Sequence, residues 1–294
     1  MKTHEKIIEK LILLCAIAAT IAVALITIFI FQSGLPVLAE YGIFDFILGT
    51  TWSPTKEQYG ILPLIVGTLS ITIGSLIIGV PTGIACAVFL SEILPQKPAK
   101  VFKSAVELLA GIPSVVYGFF GLVVLVPAIR NYILPIHQKF NPEASTSGFS
   151  ILAGAIILAI MILPTIVSMS ENAIRAVPRY YKEASLALGA NKVETILKVV
   201  IPAARSGIVA SVILAMGRSI GETMAVVLVT GNMAKMPGSV LDSVATLTGT
   251  IAMEMGYASP SHQQALFAVG IILFVIITIL NIIAQGSGKY LGGR

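Results

Sequence analysis

The sequence predicts an all-α integral membrane protein with six membrane-spanning helices. Of its 294 residues 56% are hydrophobic and 11% are charged, and the mean hydropathy is +0.95, whereas soluble domains carry roughly 25% charged residues. A transmembrane β-barrel is excluded because its strands would be about ten residues long with alternating polarity. Six apolar stretches reach the roughly 20 residues that a spanning helix needs. These stretches cover residues 11–31, 61–90, 108–129, 150–170, 207–231 and 263–285.

The first span follows a basic start, as the apolar core of a secretory signal does. Its apolar run is longer than the roughly 7 to 15 residues of a signal peptide, and its removal would leave an odd number of spans, so we interpret it as an uncleaved helix. Gly34, Pro36 and Pro54 predict turns in a short external element after it. We therefore divide the chain into residues 1–60 and a transport domain over residues 61–290.

Small residues mark the second and third spans. Gly79 and Gly83 form a GxxxG pair, which predicts that the second span packs closely inside the bundle. The third span contains GIPSVVYG at residues 111–118. Glycine and proline weaken the backbone ladder there, which is typical of a broken helix that lines a cavity, although a plain proline kink is an alternative.

The loop before the fifth span is basic and amphipathic. Residues 184–188 favour a short helix, and Gly189 allows a turn after it. Asn191 is a candidate cap for a second helix with an apolar stripe, so the loop predicts two short helices at a bend. An amphipathic helix lying on the membrane surface is the alternative. The stripe comprises Val193, Ile196, Leu197, Val200 and Ile201.

Arg218 and Glu222 are four residues apart, which places them on one face of the predicted fifth helix. Each charge costs about 2.5 to 3.5 kcal/mol near the bilayer centre, so the pair must face the bundle interior or water. Ser211, Ala215 and Ala225 extend this face into a narrow polar track. One interpretation is a structural ion pair; the other is an anion contact, because the planar fork of arginine donors matches an oxyanion.

Basic residues predict the orientation of the chain. Fourteen Lys and Arg residues fall on the side of the termini and of loop 183–202, and four fall on the other side, so the positive-inside rule places both termini in the cytoplasm.

The net charge of +5 is spread over short loops and does not indicate nucleic-acid binding. Within the external loop 232–262, the mostly uncharged stretch 240–255 either re-enters the membrane in part or packs on the bundle. Cysteine and histidine spacings suggest no metal site.

Two groups of residues carry a family resemblance. Glu183, Ala184, Gly189 and Pro202, with Val199 and Ile201, have the spacing of the EAA loop in the membrane subunits of ABC-type importers. GIPSVVYG and the run GRSIGETMAV at residues 217–226 are similar to the PstC-type permeases of phosphate importers. The resemblance implies a MetI-like six-helix permease of a prokaryotic inner membrane, with a cytoplasmic coupling loop over residues 171–206. It also implies roles in phosphate passage for Arg218 and Glu222, and in ATPase coupling for Glu183, Ala184, Gly189 and Pro202.

The partners follow from the same resemblance. It implies a second, PstA-like permease, two PstB-like ATPase subunits that hold ATP and Mg²⁺, an external PstS-like phosphate-binding protein, and membrane lipid. No GxxxxGK[ST] loop occurs in the sequence, so this chain is expected to bind no cofactor and not to be an enzyme. A permease for molybdate or sulfate is one alternative. An ion-coupled secondary transporter, with Arg218 and Glu222 as its relay, is an alternative from a different class.

Overall fold

The computed structural model describes residues 2–139 and 147–292, with side-chain surroundings for residues 8–139 and 147–283. Part of the predicted external loop 130–149 and the terminal Arg294 therefore lie outside the described residues. The helices are α1 (Lys2–Tyr41), α2 (Ile43–Leu48), α3 (Leu62–Val88), α4 (Gln96–Ala110), α5 (Ser114–Phe120), α6 (Val126–Ala128), α7 (Leu134–Gln138), α8 (Ile151–Arg175), α9 (Arg179–Ala187), α10 (Lys192–Thr195), α11 (Ile201–Gly221), α12 (Met224–Thr230), α13 (Leu247–Glu254) and α14 (Pro260–Gly292). Two-residue strands β1 (Trp52–Ser53) and β2 (Gln58–Tyr59) form an antiparallel pair.

Wider π-helical turns join several of these helices into longer rods. They cover Phe89–Ile93, Gly121–Leu125, Ile129–Ile133 and Ile196–Val200. Among the described residues, six helical stretches are long and apolar enough to cross a membrane, which agrees with the predicted number. They are Ile8–Tyr41, Leu62–Ile93, Ser114–Gln138, Ile151–Arg175, Lys192–Gly221 and Pro260–Ile283.

Three predicted boundaries are wrong. The first helix continues through Gly34 and Pro36 to Tyr41, where turns were predicted. Gly34 instead allows close helix packing, since a Cβ at this position would lie 2.7 Å from the Ala268 nitrogen in α14. The third span begins at Ser114 and not near residue 108, because the chain breaks at Gly111 and the preceding residues form the separate helix α4. The third error concerns the fifth span, whose helix ends at Gly221.

Helix α8 is the centre of the bundle. In its most apolar window 67% of the residues are buried, against 28% or less in the other five spans. Its main neighbour is α3, which approaches through the predicted glycine pair. A Cβ at Gly79 would lie 2.8 Å from Ile162, and one at Gly83 would lie 2.7 Å from Ile166. The GxxxG pattern thus brings α3 into direct contact with α8.

An aromatic cluster at the opposite end from the coupling loop joins the hairpin β1–β2 to α13 and α14. Trp52 Nε1 donates to Glu254 Oε2 at 3.1 Å, and His262 Nε2 lies 2.8 Å from the same oxygen. Trp52 also packs edge-on against Tyr59. The stretch after α12 folds onto the bundle, as one of the two predicted alternatives had it, and Leu241, Val244 and Leu247 are buried in its core.

Candidate functional site

The single long fifth helix that the sequence predicts is interrupted by a break at Glu222. Glu222 has extended backbone angles, and the next residues restart as the short helix α12. Its Oε1 accepts a hydrogen bond from the Ala225 nitrogen at 3.3 Å, and its carbonyl accepts one from Thr248 Oγ1 at 3.0 Å. The break is therefore stabilised by contacts from both sides, since the groups that a helix would have paired find other partners.

The break corrects the predicted arrangement of Arg218 and Glu222. The two residues do not share one helical face, and no ion pair joins them among the described side chains. The predicted polar track is also wrong in its members. Ser211, Ala215 and Ala225 are fully buried in helix packing, and Ser211 bonds to a serine of α8 instead of lining a path. Spacing alone could not show this, because it assumes that the helix continues.

Arg218 lies at the side of a cavity of about 740 Å³ formed by α8, α11 and α14. Its guanidinium is exposed on the isolated chain, and within the described part of the molecule it has no ion pair or side-chain hydrogen bond. Tyr117 of the GIPSVVYG run donates a hydrogen bond from its hydroxyl to the Leu109 carbonyl at 2.8 Å across the helix break. The cavity is lined by Thr165, Met169, Ala210, Ile213, Leu214, Gly217, Arg218 and Asn281.

Asn281 and Thr165 were not identified from the sequence. Both lie in spans whose sequences are mostly apolar, so neither is conspicuous there. The packing of α14 and α8 beside α11 brings them to the cavity that Arg218 lines. The Asn281 amide and the Thr165 hydroxyl line the same cavity as Arg218, and the rest of the lining is apolar. Such a cavity can hold an anion, because the cation supplies charge and its neighbours can complete the hydrogen bonding.

The loop between α8 and α11 forms the predicted bend, and we call α9, the Gly189 turn and α10 the knob. Glu183 and Ala184 are exposed on α9, and Gly189 turns the chain with φ of +88°, the left-handed region that favours glycine. Asn191 and Glu194 form a reciprocal capping box at the start of α10, which confirms the predicted cap. A hydrogen bond of 2.9 Å joins Ser185 Oγ to Thr195 Oγ1 and holds α9 against α10.

The second helix of this loop is not short, which corrects the two-short-helix prediction. α10 passes through the π turn and continues as α11 without a stop. The wide turn directly precedes Pro202, whose ring cannot donate a backbone hydrogen bond. The apolar stripe divides accordingly: Ile196 and Val200 are buried against the bundle, whereas Val193 and Leu197 are 63% and 59% exposed.

Two ion clusters at this end of the bundle were also missed. Glu171 is 2% exposed and holds Lys103 Nζ at 2.6 Å and Arg175 Nε. Lys182 Nζ of α9 lies 2.5 Å from Glu92 Oε1, which follows α3. The i,i+4 spacing of Glu171 and Arg175 was a usable signal in the sequence. The Glu92–Lys182 pair had none, because 90 residues separate its members.

Six candidate spans and a cavity lined by an arginine between three of them indicate a membrane transport protein. The chain belongs to the family of binding-protein-dependent transport system inner membrane components, whose model matches residues 79–290. The family confirms the predicted class of ABC-importer permease. The chain is thus a multi-pass inner-membrane transport subunit of the kind that its fold indicates.

Individual relatives agree with this assignment. A probable ABC transporter permease, YqgH of Bacillus subtilis (strain 168), is 41% identical over 268 residues, covering 89% of this chain and 84% of that protein. The phosphate transport system permease PstC of Xylella fastidiosa (strain 9a5c) is 35% identical over 285 residues, covering 93% and 88%. A bacterial alginate ABC transporter, solved with an alginate-bound periplasmic protein, shares the fold with a TM-score of 0.65 at 17% identity, over 99% of this chain and 98% of its own.

Proposed function

We propose that this chain is the PstC-like permease subunit of an ATP-driven importer of inorganic phosphate. The observation that carries the proposal is Arg218, which has no ion pair among the described residues and lines a largely apolar cavity, in a chain that is similar to a PstC over almost its whole length. Phosphate offers several acceptor oxygens, which the Arg218 fork can contact in a bidentate manner. Glu222, held at the helix break close to Arg218 in sequence, is proposed as the second group of the passage.

A second permease is proposed to complete the path. Arg218 is exposed on the isolated chain, and an arginine facing lipid near the bilayer centre would cost about 2.5 to 3.5 kcal/mol or more. A PstA-like subunit covering this face would enclose the cavity between two chains. The same argument applies less strongly to Glu222, which is half-buried at the outer end of α11.

Energy is proposed to come from two PstB-like ATPase subunits that bind ATP and Mg²⁺. The knob offers them exposed apolar side chains: Leu188 is 89% exposed and Leu186 is 51% exposed beside Glu183. Apolar groups projecting from a charged cytoplasmic loop are typical of a protein-binding surface. The distribution of basic residues supports a cytoplasmic location for both termini, and an external PstS-like protein is proposed to deliver the phosphate.

The test is uptake of labelled phosphate, sulfate and molybdate in cells depleted of this protein and in cells in which it is restored. We expect phosphate uptake to fall on depletion and to recover with the gene, while uptake of the other two oxyanions is unchanged. Loss of sulfate or molybdate uptake instead would contradict the phosphate assignment. Uptake that survives inactivation of the partner ATPase would favour the secondary-transporter alternative.

A further inference from the structure

The end of α3 leaves one buried backbone carbonyl, that of Leu90, without a hydrogen-bond donor from its own helix. The π turn Phe89–Ile93 directs the Leu94 nitrogen to the Phe89 carbonyl at 3.0 Å, and the next residue is Pro95, which has no N–H to donate. The buried Leu90 carbonyl therefore has no donor from its own helix. Arg175 supplies one, because its Nη2 donates to the Leu90 carbonyl at 3.0 Å.

A second cation holds the same turn from the coupling loop. Lys182 and Glu92 meet at 2.5 Å with side chains 26% and 10% exposed, so the pair is largely removed from water. Such a pair needs both members, because the loss of one leaves a buried charge without its partner. Lys182 directly precedes Glu183 in α9. The last turn of the second span is thus bound by Arg175 and Lys182, which lie on either side of the start of α9. We call α9 the coupling helix.

The middle of α3 contacts α11 next to Arg218. Ser75 and Ser219 are both buried, and their hydroxyl oxygens are 2.8 Å apart. Ser219 is the neighbour of Arg218 in α11. Seventeen residues of helix separate Ser75 from Glu92, which corresponds to about 26 Å of a rod with a rise of 1.5 Å per residue. α3 with its π turn therefore contacts α9 at one end, through Glu92, and contacts α11, which carries Arg218, through Ser75.

We propose that the Glu92–Lys182 pair is the positioning contact that transmits movement of α9 to α3 and, through Ser75 and Ser219, to the helix that carries Arg218. This inference rests on the proposed function as an ATP-driven importer, and it assigns a route, in addition to the continuous helix α10–α11, by which movement of α9 reaches the cavity. The route consists of one ion pair, Glu92–Lys182, and one hydrogen bond, Ser75–Ser219. A displacement of α9 would change the position of Glu92 through the ion pair. Coupling of this kind must be shown by paired substitutions.

The experiment uses the complete importer with its partner subunits in lipid vesicles. Phosphate transported per ATP hydrolysed is measured for the wild type, Glu92→Lys, Lys182→Glu and the double exchange. We expect each single reversal to lower this ratio about tenfold and the double exchange to restore it to within about twofold, as interacting pairs do in double-mutant cycles. Lys182→Arg, which keeps the charge, should remain coupled.

A matched control is Lys97→Glu, which makes the same change in charge at an exposed lysine of α4. Lys97 has no ion pair among the described residues, so its reversal should leave the ratio unchanged.

Normal ratios in both single reversals, or a double exchange as impaired as the singles, would overturn the proposal. So would variants that lower only the amount of assembled complex while the ratio stays normal, since that is a purely structural effect. Absence of phosphate transport by the wild type would count against the proposed function instead, and the ratio would then be measured with the substrate that the complex carries.

Discussion

At the scale of single residues, Arg218 is the group on which the proposed transport most depends. The sequence predicted an ion pair with Glu222 as one interpretation, and the structure has no such contact between them. A lone guanidinium beside Thr165 and Asn281 is positioned to accept an anion from outside the chain. Its desolvation is tolerable only where a ligand, water or a second chain provides partners.

We expect Arg218→Lys to reduce phosphate uptake about tenfold or more, because lysine keeps the charge but loses the bidentate fork, and hydrogen bonds to charged groups contribute about 1.5 to 3 kcal/mol. The measurement is uptake at matched membrane abundance. The double change Arg218→Leu and Glu222→Leu is the control for a structural pair, and it should transport no better than Arg218→Leu. Near-normal uptake in the double variant would contradict an anion contact.

At the scale of elements, the knob depends on a backbone conformation as well as on its surface. Gly189 has φ of +88°, and an added Cβ would meet nothing within 4 Å. A substitution is therefore unfavourable because of the left-handed conformation and not because of a clash. The cost for a β-branched residue is about 1 to 2 kcal/mol, enough to shift the angle between α9 and α10.

We expect Gly189→Val to lower ATP-coupled uptake several-fold while the complex remains assembled, whereas Gly189→Asn should be close to the wild type because asparagine tolerates this region. Uptake and membrane abundance are measured together for both variants. An equal loss of uptake in Gly189→Val and Gly189→Asn would indicate that the presence of a side chain, and not the conformation of the turn, lowers uptake. Normal uptake in Gly189→Val would argue against the knob as the coupling element.

At the scale of the whole molecule, the six candidate spans of the described residues lead us to propose that both ends of the chain lie on one side of the membrane. We propose the cytoplasmic side, because the positive-inside rule favours it. The external aromatic cluster around Glu254 and the cytoplasmic clusters around Glu171 then lie at opposite ends of the bundle. Substrate delivery and ATPase docking are accordingly assigned to opposite faces.

Cysteine labelling tests this orientation in a variant with Cys15 and Cys86 replaced by alanine. We expect Leu188→Cys, at the exposed tip of the knob, to react with an impermeant maleimide only from the cytosolic side. Lys56→Cys, in the turn between β1 and β2, should react only from outside. The reverse pattern at either position would overturn the proposed topology.

The sequence by itself determined the class of fold, the number of spans, the bend at Gly189 and the Asn191 cap that follows it. Each of these depends on local composition or on spacings within a few turns, where hydrophobicity and capping chemistry act directly. The tertiary structure decided where helices stop, as at Gly111 and Glu222, because those breaks are stabilised by groups that lie far away in sequence, such as Thr248. It also decided the neighbours of Arg218 and the pairing of Glu92 with Lys182, since contacts between distant segments depend on how the helices pack against one another.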